Sequence, residues 1–138
     1  MRKTTIARRP MDFEGREQQM LVSWLEIQHR AAYAVTWHTP NGGARDKATA
    51  GKLKAQGVKA GVPDLQLAQA RGGFFGLFIE FKATPPYDAA VSGVQKDMLG
   101  RLKAEGYRAV VCRGIEDAMR EINAYLAMEP TPRQVPAQ

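Results

Sequence analysis

The sequence predicts an α/β fold in which helices flank one central mixed β-sheet, in the order α-β-α-β-β-α-β-α. Two observations lead to this expectation. Runs of β-branched and aromatic residues that end in glycine turns alternate with segments whose apolar residues repeat at helical spacing. In addition, 138 residues with 44% hydrophobic content are enough for one packed core and too few for two.

The first half of the chain contains two predicted helices and one strand. Apolar residues repeat at helical spacing between residues 14 and about 32. A β-branched and aromatic strand over residues 33–38 follows and ends in a Pro-Asn-Gly-Gly turn. Residues 45–56 are rich in helix formers and are closed by a glycine. We expect both tryptophans, Trp24 and Trp37, in the core.

The second half supplies the rest of the predicted sheet and the two helices that cover it. Short strands over residues 65–68 and 76–82 are joined by a glycine-containing hairpin. A helix over residues 91–105 precedes the apolar strand of residues 107–114. The last helix, residues 114–128, carries an apolar stripe that is expected to face the core.

Cysteine usage and hydropathy predict a soluble, cytoplasmic protein. Cys112 is the single cysteine and lies in an apolar strand, so it cannot form an internal disulfide. The sequence has neither an apolar stretch of membrane-spanning length nor the apolar segment of a signal peptide. We expect a flexible basic arm over residues 1–11, the folded domain over 12–128 and a disordered, proline-rich tail over 129–138.

The positive charge of the chain indicates an anionic partner only locally. The net charge is +6, but four basic residues among the first nine supply most of it. A second concentration of basic residues lies in and after the predicted helix of residues 45–56. There Lys52, Lys54 and Lys59 come shortly before Asp64, where they are suited to contact the phosphates of a nucleic acid.

The candidate chemistry lies on two neighbouring strands. Side chains alternate along a strand, so Glu80 and Lys82 share one face, where a solvated ion pair is the alternative interpretation. Pairing with the preceding strand brings Asp64 to the same end of the sheet. Two carboxylates at that separation repel each other unless a divalent cation lies between them, and all-oxygen ligands suit Mg²⁺ or Mn²⁺. The backbone carbonyl of Phe81 is a further candidate ligand.

These segments resemble a known nuclease family. "GVPD" followed by "IEFK" matches the PD-(D/E)XK pattern, and with "PNGG" and "VQKDMLGRLKAEGYRAVVCRG" the chain resembles its VRR-NUC branch from about residue 14 to 126. The resemblance implies a restriction-endonuclease-like core with a metal-binding pair at Asp64 and Glu80 and a catalytic lysine at Lys82. Gln95 matches the glutamine of the following helix. The helix-borne acidic residue falls on Glu17, with Glu14 as the alternative.

The resemblance implies metal-assisted hydrolysis of DNA phosphodiester bonds in a bacterium or a phage-infected cell. Lys82 either deprotonates or orients the attacking water, and Asn41 of "PNGG" either contacts substrate or shapes its loop. From the relatives and the small size of the domain we expect a homodimer that cuts branched or four-way junction DNA. The alternatives are a non-catalytic nucleic-acid binder that keeps the fold and a sequence-specific, restriction-type nuclease.

Overall fold

A computed structural model describes residues 11–40 and 46–134 of the chain. Within these residues, helices and strands alternate much as the sequence predicts, with one additional short helix. The elements are α1 (Phe13–Gln28), α2 (Arg30–Tyr33), β1 (Thr36–His38), α3 (Lys47–Ala55), β2 (Leu65–Leu67), β3 (Leu77–Lys82), α4 (Gly93–Ala104), β4 (Arg108–Arg113) and α5 (Ile115–Ala127). The predicted α/β class is confirmed.

The four strands form one mixed sheet in the order β1-β2-β3-β4. β1 pairs antiparallel with β2, and β2 pairs antiparallel with β3, as the glycine-containing hairpin predicts. β3 and β4 are parallel, so α4 is the crossover helix that joins them. Because parallel strands in a sheet need such a crossover, the segment after β3 must leave the sheet at its end and pass over one face.

The hydrophobic core lies between one face of the sheet and the pair of helices α1 and α5. Leu77, Ile79 and Phe81 alternate along β3 onto this face and are almost fully buried. Leu21 of α1 and Ile122 of α5 belong to the same buried cluster. The other residues of β3 therefore face the opposite side, where Phe78 packs on Tyr107 and where Glu80 and Lys82 lie near the start of α4.

The region between α1 and β1 differs from the prediction. The helix expected over residues 14–32 is interrupted at His29, whose backbone is not helical (φ −141°, ψ 69°), and a second short helix follows. The predicted strand of residues 33–38 therefore begins only at Thr36, whose hydroxyl donates to the carbonyl of Ala32. Trp37 is 50% exposed because β1 is an edge strand, so its predicted place in the core is wrong.

Hydrogen bonds order residues 129–131, which the sequence predicts to begin a disordered tail. The end of that tail beyond residue 134 and the predicted basic arm up to residue 10 lie outside the described residues. The amide of Gly72 donates to the carbonyl of Glu129, and the amide of Thr131 donates to the carbonyl of Ala70. The hydroxyl of Thr131 also donates to the carbonyl of Phe74. The chain is thus fixed to the β2–β3 hairpin through residue 131. No helix in the described ranges has the length and hydropathy needed to cross a membrane.

Candidate active site

Asp64 and Glu80 lie opposite each other at one end of the sheet. Leu65 at the start of β2 pairs with Ile79, so extending the ladder by one residue brings Asp64 opposite Glu80. Side chains in this relation have Cβ atoms about 5 Å apart and share one face of the sheet. Asp64 is held there by its side chain, since Oδ2 accepts a hydrogen bond of 2.7 Å from the amide of Phe81.

The backbone of Asp64 is fixed as firmly as its side chain. Its carbonyl oxygen accepts from the amide of Thr39 at 2.9 Å and lies 2.7 Å from Nδ1 of His38. A carbonyl can only accept, so Nδ1 of His38 carries the proton in this contact. Both bonds come from β1 and the residue after it, and they fix the backbone of Asp64 relative to the sheet.

Glu80 is a buried carboxylate with only one of its two oxygens satisfied. Its residue is 2% exposed, and Oε1 accepts from Nε2 of Gln95 at 2.9 Å and contacts Nζ of Lys82 at 3.3 Å. Oε2 is buried and has no hydrogen-bond partner among the described residues. Burial, together with the nearby charge of Asp64, raises the pKa of Glu80 to about 7, and the charge of Lys82 opposes this rise.

Lys82 and Gln95 complete a buried polar network around Glu80. Lys82 is 5% exposed, and its Nζ lies 3.3 Å from both Glu80 Oε1 and Gln95 Oε1. Gln95 also forms the capping box of α4, because its Oε1 accepts from the amide of Ser92 while Ser92 Oγ accepts from its amide. The start of α4 therefore positions the side chains of Glu80 and Lys82, which form a buried pair and not the solvated one considered above.

Glu17, the favoured helix-borne acidic residue, points away from this network. One carboxylate oxygen accepts from the amide of Thr84, and the other accepts from the hydroxyl of Thr84 and the amide of Ile115. Burial alone would raise the pKa of Glu17, but the hydrogen bonds from Thr84 and Ile115 outweigh it and the pKa is lowered. Glu17 thus joins α1 to the chain after β3 and to the start of α5.

Glu14, one helical turn earlier, is the acidic residue of α1 that lies near Asp64. Burial raises the pKa of Glu14, the charge of Asp64 adds to that effect and the charge of Lys82 opposes it. Glu14 and Asp64 line one cavity of about 390 Å³ together with His38 and Gln18. The structure brings the alternative candidate, Glu14, to the site in place of Glu17.

The arrangement of oxygen atoms fits a hard divalent cation, although the site is not a closed ligand cage. Within residues 11–40 and 46–134, no three His, Cys, Asp or Glu side chains lie close enough to hold a metal ion by themselves. The buried, partnerless Oε2 of Glu80 beside Asp64 is the atom that such a cation would satisfy. Phe81 donates its amide to Asp64, and strand geometry directs its carbonyl to the same edge.

The candidate DNA contacts are exposed. Lys52 and Lys54 lie on α3, and Lys59 lies in the segment after it. α3 has no buried residue, so this basic helix does not contribute to the hydrophobic core. Asn41, the remaining candidate, lies outside the described residues.

Comparison with known proteins identifies the family. The model of the VRR-NUC domain matches residues 12–116. The chain belongs to the VRR-NUC family. A solved structure described as a VRR_NUC domain protein is 30% identical and superposes with a TM-score of 0.76. That match covers 89% of this chain and 97% of the other. A search of curated proteins finds no match.

The VRR-NUC match includes the whole buried network. Its range contains Glu14, Asp64, Glu80, Lys82 and Gln95. Membership of this family implies a nuclease-type function and hence binding of nucleic acid. Most of α5 lies beyond the matched range, yet its residues Ala118 and Ile122 belong to the core on which β3 is packed.

Proposed function

We propose that this VRR-NUC protein is a divalent-metal-dependent endonuclease that hydrolyses DNA. The observation that carries the proposal is the pair of carboxylates Asp64 and Glu80, one of which has a buried oxygen without a partner. Leaving such an atom unsatisfied costs about 1–3 kcal/mol or more, so a protein without a use for it would replace it. A non-catalytic binder has no need of this arrangement.

Mg²⁺ or Mn²⁺ is the proposed cofactor. Asp64 and Glu80 would hold it with the carbonyl of Phe81, and Glu14 is the fourth candidate because it lines a cavity together with Asp64. A cation bound at such a site activates water and offsets negative charge at a phosphate. Glu17 is not included, because its oxygens are occupied by Thr84 and Ile115.

Lys82 and Gln95 have separate roles in this proposal. Lys82 lies with Nζ 3.3 Å from Oε1 of Glu80, where it would stabilise negative charge that develops on the attacked phosphate. Gln95 is a positioning residue, because it donates to Glu80 and accepts from Lys82 and so holds both side chains in one orientation. Because Gln95 occupies Oε1 of Glu80, the free oxygen is Oε2.

The exposed lysines Lys52, Lys54 and Lys59 would contact DNA phosphates without reading bases.

We further propose that the substrate is branched DNA, such as a four-way junction, and that the protein acts as a homodimer. One compact domain offers one site and cuts one strand, whereas a two-fold dimer presents two sites to the two opposed strands of a junction. Light scattering at micromolar concentration measures the mass that decides this point.

The function is tested with Asp64→Asn and the matched control Asp97→Asn, which changes an exposed carboxylate paired with Arg101 on α4. Fluorescent linear, flap and four-way DNA substrates are incubated with Mg²⁺, with Mn²⁺ or with EDTA. We expect cleavage only with a metal ion, a loss of orders of magnitude in Asp64→Asn and no change in the control. Asparagine keeps an acceptor for the amide of Phe81, so the variant should melt like the wild type.

Wild-type rates for Asp64→Asn in Mg²⁺ would remove Asp64 from the site. DNA binding without cleavage of any substrate by the wild type would favour the non-catalytic alternative. Linear duplex cut as fast as a junction would contradict the preference for branched DNA.

A further inference from the structure

An exposed tyrosine stacks on the first residue of α1, next in sequence to Glu14 of the candidate active site. Tyr87 is 60% exposed, and its ring stacks on that of Phe13 with centroids 4.0 Å apart and planes inclined by 19°. Phe13 is the first residue of α1 and immediately precedes Glu14. Tyr87 follows Lys82 by five residues, in the segment that leaves the end of β3. The pair therefore joins two chain segments that both carry residues of the site.

The segment that carries Tyr87 is held from both sides. Before it, Thr84 is bound by the carboxylate of Glu17, and the amide of Tyr87 donates to the carbonyl of Thr84 at 3.0 Å. After it, Arg113 of β4 donates to Asp88 at 2.8 Å and to the carbonyl of Ala89 at 3.2 Å. These contacts come from α1 and β4 and fix the backbone on either side of an exposed ring.

The hydrogen bonds on either side of Tyr87 do not place its ring in the hydrophobic core. Tyr87 is not a member of the buried cluster, and its partner Phe13 is only partly buried. One face of the Tyr87 ring lies against Phe13, and the residue is nevertheless 60% exposed. A rigid ring loses little conformational entropy on binding a ligand, so the arrangement is pre-organised for a flat partner.

We propose that Tyr87, backed by Phe13, is a stacking platform for an unpaired nucleobase next to the phosphodiester bond that is cut. A flat apolar face beside a phosphodiester site favours a base over a phosphate, and the charge of nearby Asp88 is paired with Arg113. Stacking on an aromatic ring tolerates every base. This inference rests on the proposed nuclease function and narrows the substrate to DNA with a base out of the helical stack.

The first measurement uses flap oligonucleotides, whose branch point fixes the register of binding, with 2-aminopurine at successive positions of the unpaired strand and with EDTA present to prevent cleavage. With the wild-type protein, one position should show a change of fluorescence that exceeds its neighbours'. Tyr87→Leu should abolish that change and weaken binding roughly 5- to 150-fold, whereas Tyr87→Phe keeps both. The control is Phe75→Leu, which removes an equally exposed ring (60%) on the hairpin between β2 and β3 and should have no effect.

The second measurement asks whether ring and base act as one unit. An abasic nucleotide at the position found with 2-aminopurine should weaken wild-type binding as much as Tyr87→Leu does. Combining the two should cost little more than either alone, because the same contact is removed twice. A role of Tyr87 in folding would lower the melting temperature and would not depend on the position of the abasic nucleotide.

Additive effects, or a wild-type protein with no distinct 2-aminopurine position, would overturn the stacking proposal. The latter result requires no substitution, so it stands even where Tyr87→Leu fails to fold. Equal binding by Tyr87→Leu and the wild type, with metal-dependent cleavage intact, would refute the platform and leave the nuclease function standing. Coupled effects without any cleavage would leave the platform standing and refute the nuclease.

Discussion

At the scale of single residues, Glu14 and Glu17 show where sequence information ends. They are three residues apart on one helix and therefore face the same way, so spacing alone could not separate them. The difference arises from distant partners. Thr84 and Ile115 donate to Glu17, whereas Asp64 and Lys82 act on Glu14 through their charges. Only the packing of α1 over the end of β3 decides which glutamate reaches which partners.

Matched substitutions distinguish these two glutamates. Glu14→Gln should lower metal-dependent cleavage while leaving the free energy of unfolding unchanged or slightly higher, because it removes a carboxylate that Asp64 repels. Glu17→Gln should lower the free energy of unfolding by about 1–3 kcal/mol, because an amide group must then face a backbone N–H donor. Urea unfolding in EDTA measures the free energy of unfolding of each variant. Cleavage is measured at a temperature where both variants are folded. The opposite pattern would return Glu17 to the site.

The proximity of Asp64, Glu80 and Lys82 could be predicted from the sequence, because side-chain alternation and hairpin pairing are local rules. The unpaired oxygen of Glu80 could not be predicted. Its free oxygen exists because Gln95, fixed by the cap of α4, takes the other one. The position of the start of α4 relative to β3 depends on tertiary packing, which no local sequence pattern predicts.

At the scale of elements, helix and strand types were predicted well and their bounds less well. The helix predicted over 91–105 begins at Gly93, because Ser92 forms its cap. The predicted strand of residues 33–38 lost its first half, because Tyr33 is the last residue of α2 and residues 34 and 35 form a turn before Thr36. Propensity is a weak guide where tertiary contacts compete with it.

The basic helix α3 supports a prediction at this scale. Lys52→Ala and Lys54→Ala should each weaken DNA binding and reduce the slope of log K against log salt by about one, because each removes one phosphate contact. The cleavage rate at saturating DNA should stay constant. Lys103→Ala is the control, since it removes an exposed lysine at the far end of α4 from Gln95. These slopes are measured in binding titrations between roughly 50 and 200 mM salt. A loss at Lys103 equal to that at Lys54 would contradict a specific role for α3.

At the scale of the whole molecule, the fold holds two carboxylates close together, which lowers its stability. The sheet brings Asp64 and Glu80 together at one end, and the core elements α1 and α5 fix that sheet from the other face. The α/β architecture was predictable because its local patterns agree with one another. The order of residues 129–131 was not, because this segment has no apolar pattern and is fixed by hydrogen bonds to the hairpin.

The buried carboxylate makes the stability of the whole domain depend on pH. The pKa of Glu80 is raised from 4.5 to about 7 by burial and by Asp64, so the folded state binds this proton more tightly than the unfolded state. The free energy of unfolding in EDTA should therefore fall as pH rises from about 4.5 to about 7, by up to roughly 3 kcal/mol from this group, and then level off. Glu80→Gln, which keeps an acceptor for Lys82, should remove that fall.

Urea unfolding of both proteins between pH 4.5 and 8 isolates the effect, because the other titrating groups contribute to both curves and cancel in the difference. We expect the two curves to separate as pH rises, with Glu80→Gln the more stable protein at pH 8. Mg²⁺ or Mn²⁺ should stabilise the wild type at that pH and leave Glu80→Gln almost unchanged, because the cation offsets the charge that burial penalises. Parallel curves in EDTA would mean that Glu80 titrates normally, and equal stabilisation of both proteins by the metal would place the cation elsewhere.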